Sequence, residues 1–316
     1  MAVEIRNIGS DTELGAILNR DFLGNRRSHY IEVGIDKICL PGKFEEYYEA
    51  FKNFEVRDDD VFVCAFPKTG SRWTQEMIWL LQNNFNYDVA RNTALPHRSR
   101  LLEVDAIFDK KLEEIEQLQL YNDFESPRFF KTHLHWSMLP DDITSGKKKC
   151  KIIVVIRGVE DTCTSLFYQS KIVEGYTGTF DNLCKLFLGG KVPNGPYWKH
   201  VLGMWEQRHR PNIMFLKYKE MLEDLEGSIR KVAKFLNKDV SDDEVKTLAD
   251  YLKFDNLKKC KGFTMEFLDY FKDKECNPFA RSGKLNDHKN KMSASIIEEF
   301  RKQRKENLEG TGLTLE

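Results

Sequence analysis

Two apolar runs without polar alternation constrain the fold most: Val61-Phe62-Val63-Cys64-Ala65-Phe66 and Ile152-Ile153-Val154-Val155-Ile156. Side chains of a strand alternate between its faces, so a run that is apolar at every position must be buried on both. Both runs are short and rich in β-branched or aromatic residues, which predicts interior strands of a parallel sheet. Ile213-Met214-Phe215-Leu216 is a weaker third run. Helical spacing follows the first run at Trp73, Met77, Leu80 and Leu81, and the third at Leu225, Ile229, Val232 and Leu236. Near the C-terminus Ile296, Ile297 and Phe300 open an amphipathic helix that Gly310 and Gly312 would end. Strands alternating with helices predict an α/β fold, with a central, mainly parallel β-sheet flanked by helices. No Gly/Ser/Pro-rich linker and no internal repeat divides the chain, so residues 1–316 are read as a single domain.

Composition narrows the function classes. Forty-nine basic residues face 50 acidic ones, for a net charge of −1, and 41% of residues are apolar. That balance argues against a disordered chain and against electrostatically driven nucleic-acid binding. No apolar run approaches the ~20 residues of a membrane-spanning helix. Charges at Glu4, Arg6, Asp11, Glu13, Arg20, Asp21, Arg26 and Arg27 interrupt the start of the chain, where a secretory signal would need an apolar block. Seven cysteines contain no C-x-x-C pair, so neither a zinc site nor a dithiol motif is signalled, and their scatter suits free thiols in a reducing compartment. The lysine run Lys147–Lys149 with Lys151 reads as a solvated loop. The expectation is a cytoplasmic protein acting on small molecules, with neither nucleic acid nor membrane as partner.

In parallel sheets ligands bind beyond the carboxyl ends of the strands. Phe66-Pro67-Lys68-Thr69-Gly70-Ser71-Arg72-Trp73 joins the first strand to its helix there. Gly70 permits a tight turn, backbone amides at a helix N-terminus attract anions, and Lys68 and Ser71 add a charge and a hydroxyl. The result is a P-loop-like phosphate-binding loop after an early strand. It lacks the Gly-Lys-Ser/Thr ending of a Walker motif, so a nucleoside-triphosphatase or P-loop kinase is not supported. An ordinary strand-to-helix turn is the competing reading. Arg157 follows the second strand, with Ser165 about two helical turns on; a guanidinium fork suits a terminal phosphate, unless Arg157 is spent on Glu160 or Asp161. Between these lies Arg128-Phe129-Phe130-Lys131-Thr132-His133-Leu134-His135. Lys131, His133 and His135 alternate by two and would share one face of an extended chain. A histidine beside a lysine is a candidate general base, and spacing leaves the choice between His133 and His135 open.

In this order the segments resemble the cytosolic sulfotransferases, most closely insect members, which move a sulfuryl group from 3′-phosphoadenosine-5′-phosphosulfate (PAPS) to a hydroxyl or amine and release PAP. The resemblance spans most of the chain. Pro67 to Trp73 is similar to the loop that binds the 5′-phosphosulfate, through Lys68, Thr69, Gly70, Ser71, Arg72 and Trp73. Lys131-Thr132-His133-Leu134 is similar to the catalytic Lys-Thr-His segment. The resemblance favours His133 as the base, with Lys68 and Lys131 stabilising charge on the departing and transferring groups and Ser165 in the same machinery. It assigns Arg157, Ser165 and Arg281 to the 3′-phosphate, with Ser282 and Gly283 in the same C-terminal loop. Tyr218 matches a tyrosine associated with the nucleotide, and Trp73 and Phe254 would sandwich adenine. Phe44 and Tyr168, with His133, would line the acceptor pocket, as could Tyr197 and residues 98–104. Core packing is the competing reading there. The implied acceptor is a small, apolar or phenolic molecule, and no metal is implied.

Several positions depart from the family pattern. Arg72 stands for a threonine, His135 for a proline, Leu252 for a threonine or serine, and Ser282 for a lysine. Asn286 and His288 stand for a glycine and a tryptophan. These departures leave a second reading, a catalytically weak PAP, PAPS or small-molecule binder on the same fold. The dimer segment keeps its charged ends, Lys289 and Glu298, but Ser293 and Ala294 replace its β-branched centre, so it does not carry the expectation of a homodimer.

Overall fold

The computed structural model describes residues 3–24, 27–109, 117–264 and 285–315. Three short strands, β1 (Ile5–Asn7), β2 (Tyr30–Val33) and β3 (Ile38–Pro41), form an antiparallel sheet in the order β1-β2-β3. The central sheet contains β4 (Val61–Ala65), β5 (Arg100–Leu101), β6 (Phe129–Thr132), β7 (Lys151–Ile156) and β8 (Ile213–Lys217). Its order is β5-β6-β4-β7-β8, and every neighbouring pair is parallel.

The two defining runs are buried on both faces, as their composition requires. Phe62, Cys64, Phe130, Ile152 and Val154 join one apolar core, while Val61, Val63, Ile153 and Val155 join the other. On the second face lies the helix Ser71–Gln82, where Met77, Leu80 and Leu81 are fully buried. The helix Leu225–Phe235 adds Ile229 and Val232 to the same core. The C-terminal helix Ala294–Leu308 packs Phe300 into the first core.

A buried ion pair holds the amino-terminal rim of the sheet. Arg128, just before β6, donates from Nε and Nη2 to Asp60 Oδ1 and Oδ2 at 2.8 and 2.6 Å, and Asp60 sits just before β4. Such a two-point fork fixes strand register. The opposite rim is left for chemistry: β4 and β6 lie side by side, and the chain crosses from β6 to β7 on the other flank of β4, the kind of switch point where α/β sheets bind ligands. The six cysteines of the described residues are buried and unbridged, Cys163 and Cys184 included, with sulfurs 3.9 Å apart.

Candidate active site

The loop after β4 is built around Gly70. It caps the helix Ser71–Gln82 at φ 113°, in the left-handed region, with no side-chain cap on the helix amides. A Cβ at Gly70 would lie 2.8 Å from Tyr218 Cδ2, so both conformation and space demand glycine. Thr69 is buried, and its hydroxyl donates to the Phe66 carbonyl at 2.9 Å, closing the turn. Lys68 also has a positive φ, 74°. The outcome is a helix N-terminus without a side-chain cap, the kind of helix end that attracts anions, with a lysine at its approach.

At the end of β6, burial and the neighbouring charges of Arg72 push the Lys131 ammonium down to about 8, with Glu103 opposing. Beyond it, His133 Nδ1 stands 2.5 Å from the carbonyl oxygen of Ala65. A carbonyl only accepts, so Nδ1 carries the hydrogen and Nε2 is the unprotonated nitrogen. Burial, followed by Lys131, pushes the imidazole down to about 3, and Lys68 adds to this. The His133 imidazole is therefore neutral and of fixed tautomer. The His133 amide donates to Glu103 Oε1 at 2.7 Å. Glu103 is buried, and burial raises its carboxyl against the pull of the His133 amide, the Thr132 hydroxyl and Lys131.

At the end of β7, described residues hold Arg157 by its guanidinium. Its Nη1 donates to the Lys68 carbonyl at 3.3 Å, its guanidinium lies 4.4 Å from the Tyr218 ring centroid, and its Nη2 is 3.9 Å from Asp161 Oδ2. The Tyr197 hydroxyl donates to the Arg157 carbonyl at 2.5 Å. The pairing with Asp161 weighed from sequence is real but loose, and Glu160 pairs instead with Arg304 at 3.1 Å. Ser165 sits two turns into the helix Val159–Gln169, half-buried.

Residues 58–312 match the family model described as a sulfotransferase domain. The chain belongs to the sulfotransferase family. It is 32% identical, over 99% of its length and 89% of the relative's, to luciferin sulfotransferase of Photinus pyralis, in keeping with the insect resemblance. It is 30% identical to sulfotransferase 1 family member D1 of Rattus norvegicus, over 85% of this chain and 90% of that one. Two solved structures of retinol dehydratase, one with androsterone and PAP and one with retinol and PAP, share its fold at TM-scores of 0.90 and 0.91 and 24% identity. They cover 99% and 100% of this chain, and it covers 98% and 99% of theirs. The protein is a PAPS-dependent sulfotransferase that moves a sulfuryl group to a hydroxyl of a small molecule.

The rim of this sulfotransferase fits that cofactor. The helix N-terminus, which has no side-chain cap, and Lys68 could hold a phosphosulfate, and Arg157 at the adjacent strand end could hold a second phosphate. Trp73 is aimed by a hydrogen bond from its indole nitrogen to the Leu252 carbonyl at 2.9 Å and meets Tyr218 edge-on at 5.8 Å. Phe254 begins the short helix Phe254–Leu257 and is half-buried. Arg72 turns to Phe263, donating to its carbonyl and lying 5.2 Å from its ring centroid. Arg281, Ser282 and Gly283 lie outside the described residues. Among the described residues no group of three or more His, Cys, Asp or Glu side chains is placed to hold a metal.

His135 corrects the expectation of a shared face with Lys131 and His133. β6 ends at Thr132, and beyond it the two histidines turn to different partners, His133 to the Ala65 carbonyl and His135 to the Asn194 carbonyl. His135 is buried, donates from Nε2 to the Asn194 carbonyl at 2.8 Å, and packs edge-on against His200 at 5.0 Å. On the acceptor side, Phe44 is buried with its ring centroid 5.1 Å from Phe51, and Tyr168 is half-buried beside Phe167 at 5.3 Å. Sequence reasoning did not single out Glu103: its partner His133 is thirty residues away in the chain, and only the parallel pairing of β5 with β6 joins them.

Proposed function

We propose that His133 is the general base of this sulfotransferase, taking the proton of the acceptor hydroxyl at Nε2 as that oxygen attacks sulfur. The observation that carries this reading is the bond from His133 Nδ1 to the Ala65 carbonyl, which leaves Nε2 as the basic atom. Lys68 and the amides after Gly70 hold the 5′-phosphosulfate, and Lys68 neutralises charge gathering on the bridging oxygen as the sulfur–oxygen bond breaks. Lys131 offsets charge on the transferring group, which it does only while protonated. Arg157, Ser165 and, in the C-terminal loop, Arg281 with Ser282 and Gly283 hold the 3′-phosphate. Trp73, Tyr218 and Phe254 enclose adenine, with Arg72 at the adjoining wall. The acceptor is a small apolar or phenolic hydroxyl compound that meets Phe44 and Tyr168. Residues 1–316 act as one domain, in the cytoplasm. A relative named for luciferin and structural neighbours holding retinol or androsterone agree with an apolar acceptor.

The test is PAPS-dependent transfer by purified protein across a panel of phenols, aliphatic alcohols and hydroxysteroids. The expected result is sulfated product and PAP in equal amounts, with phenols or flat apolar alcohols preferred. PAP binding with no transfer to any member would overturn the reading in favour of a binder.

A further inference from the structure

Arg157 stands beside a buried carboxylate of opposite charge and yet does not close onto it. Asp161 is one helical turn on, its side chain 1% exposed, and the pair is held at 3.9 Å. Left to itself, a buried Arg–Asp pair would draw into a two-point fork and use up the guanidinium. Asp161 is prevented from doing so because both its oxygens are engaged elsewhere. Oδ2 accepts from the Asn286 amide at 2.7 Å, and Oδ1 accepts from His288 Nδ1 at 2.8 Å and, more weakly, from the His288 amide at 3.4 Å. The His288 side chain is itself only 12% exposed, so this is an interior contact. Both donors come from a segment 125 and 127 residues downstream, including the short helix Asp287–Asn290.

We propose that His288 is a positioning residue for the 3′-phosphate end of the cofactor site, acting through Asp161 on Arg157. The inference rests on the reading that Arg157 binds the 3′-phosphate. Bonded to His288 and Asn286, the Asp161 carboxylate orients Arg157 without neutralising it. The Tyr218 ring and the Lys68 carbonyl fix the plane of the guanidinium. Without the imidazole, Oδ1 keeps only the weak bond from the His288 amide and swings toward Arg157, which then competes poorly for phosphate. The effect is confined to ligands that carry a 3′-phosphate.

Calorimetric titration of the full-length protein with PAP and with adenosine 5′-phosphate, which lacks the 3′-phosphate, separates this role from a general structural one. His288→Phe is expected to weaken PAP about tenfold, equivalent to about 1.4 kcal/mol, and to leave adenosine 5′-phosphate within about twofold. His288→Asn keeps an N–H for Oδ1 and is expected to recover most of the PAP affinity. Arg157→Ala serves as the reference and should abolish the preference for PAP. If Arg157→Ala does so while His288→Phe binds PAP like the unaltered protein, or loses both ligands by the same factor, His288 has no positioning role. If Arg157→Ala leaves the preference intact, the phosphate assignment itself fails and the role of His288 fails with it.

Discussion

The two ends of the cofactor rim use positive charge in opposite ways. At the end proposed for the sulfuryl group, burial and the charge of Arg72 hold Lys131 near 8, while burial and the charges of Lys131 and Lys68 hold His133 near 3. At the end proposed for the 3′-phosphate, Arg157 is spread over a carbonyl, an aromatic face and a carboxylate held at 3.9 Å. The difference follows from the tasks. A group that takes a proton must be neutral beforehand, and desolvation makes it so. A group that only binds a fixed anion gains from permanent charge and rigid placement. Glu103 tempers the crowded end: its carboxylate is buried against the His133 amide and offsets part of the repulsion on Lys131.

Substitutions at the two ends should therefore fail differently. Lys68→Ala removes charge where it develops, and kcat is expected to fall roughly 100- to 1,000-fold, with PAP affinity changing far less; stopped-flow sulfuryl transfer alongside PAP titration reads both. An equal loss in both would place Lys68 in binding alone and break the contrast. A smaller effect concerns pH. Lys131 must be protonated to act, and it loses its proton as pH rises through about 8. The kcat/KM of the free enzyme should then decline above that pH, reaching about a tenfold loss one unit higher. Bound anions stabilise the ammonium, so the limb in kcat should lie at higher pH. Lys131→Arg should remove the limb from the profile even if its absolute rate is lower. A limb that persists in Lys131→Arg would assign it to another group. On the acid side His133 is already neutral, so no decline centred near its ordinary value of about 6.5 is expected.

Legibility from sequence follows the same contrast. β4 and β7 were readable because burial on both faces leaves no polar position in Val61–Ala65 or Ile152–Ile156. The phosphate loop was readable because a strand, a glycine and a helix start must be contiguous. Lys131 and His133 were readable as a pair, but only resemblance separated His133 from His135; the physical separator, the bond of His133 to the Ala65 carbonyl and of His135 to the Asn194 carbonyl, is a tertiary outcome. The antiparallel sheet β1-β2-β3 was not foreseen, since strands of three or four residues such as Ile5–Asn7 carry too few alternations to register. β5 has two residues, and with it Glu103 was invisible as a partner of His133. Asp161 was weighed only as a partner that might consume Arg157. The contacts that keep it from doing so come from Asn286 and His288, far along the chain.

The central claim is that a neutral His133 of fixed tautomer performs the proton transfer, while the cations around it bind and stabilise. Single-turnover transfer by His133→Ala, measured beside its PAP affinity, tests this most directly. Transfer should slow by about 100- to 10,000-fold with PAP bound within about threefold of the unaltered protein. Retained turnover, or loss of PAP binding in step with the rate, would contradict it.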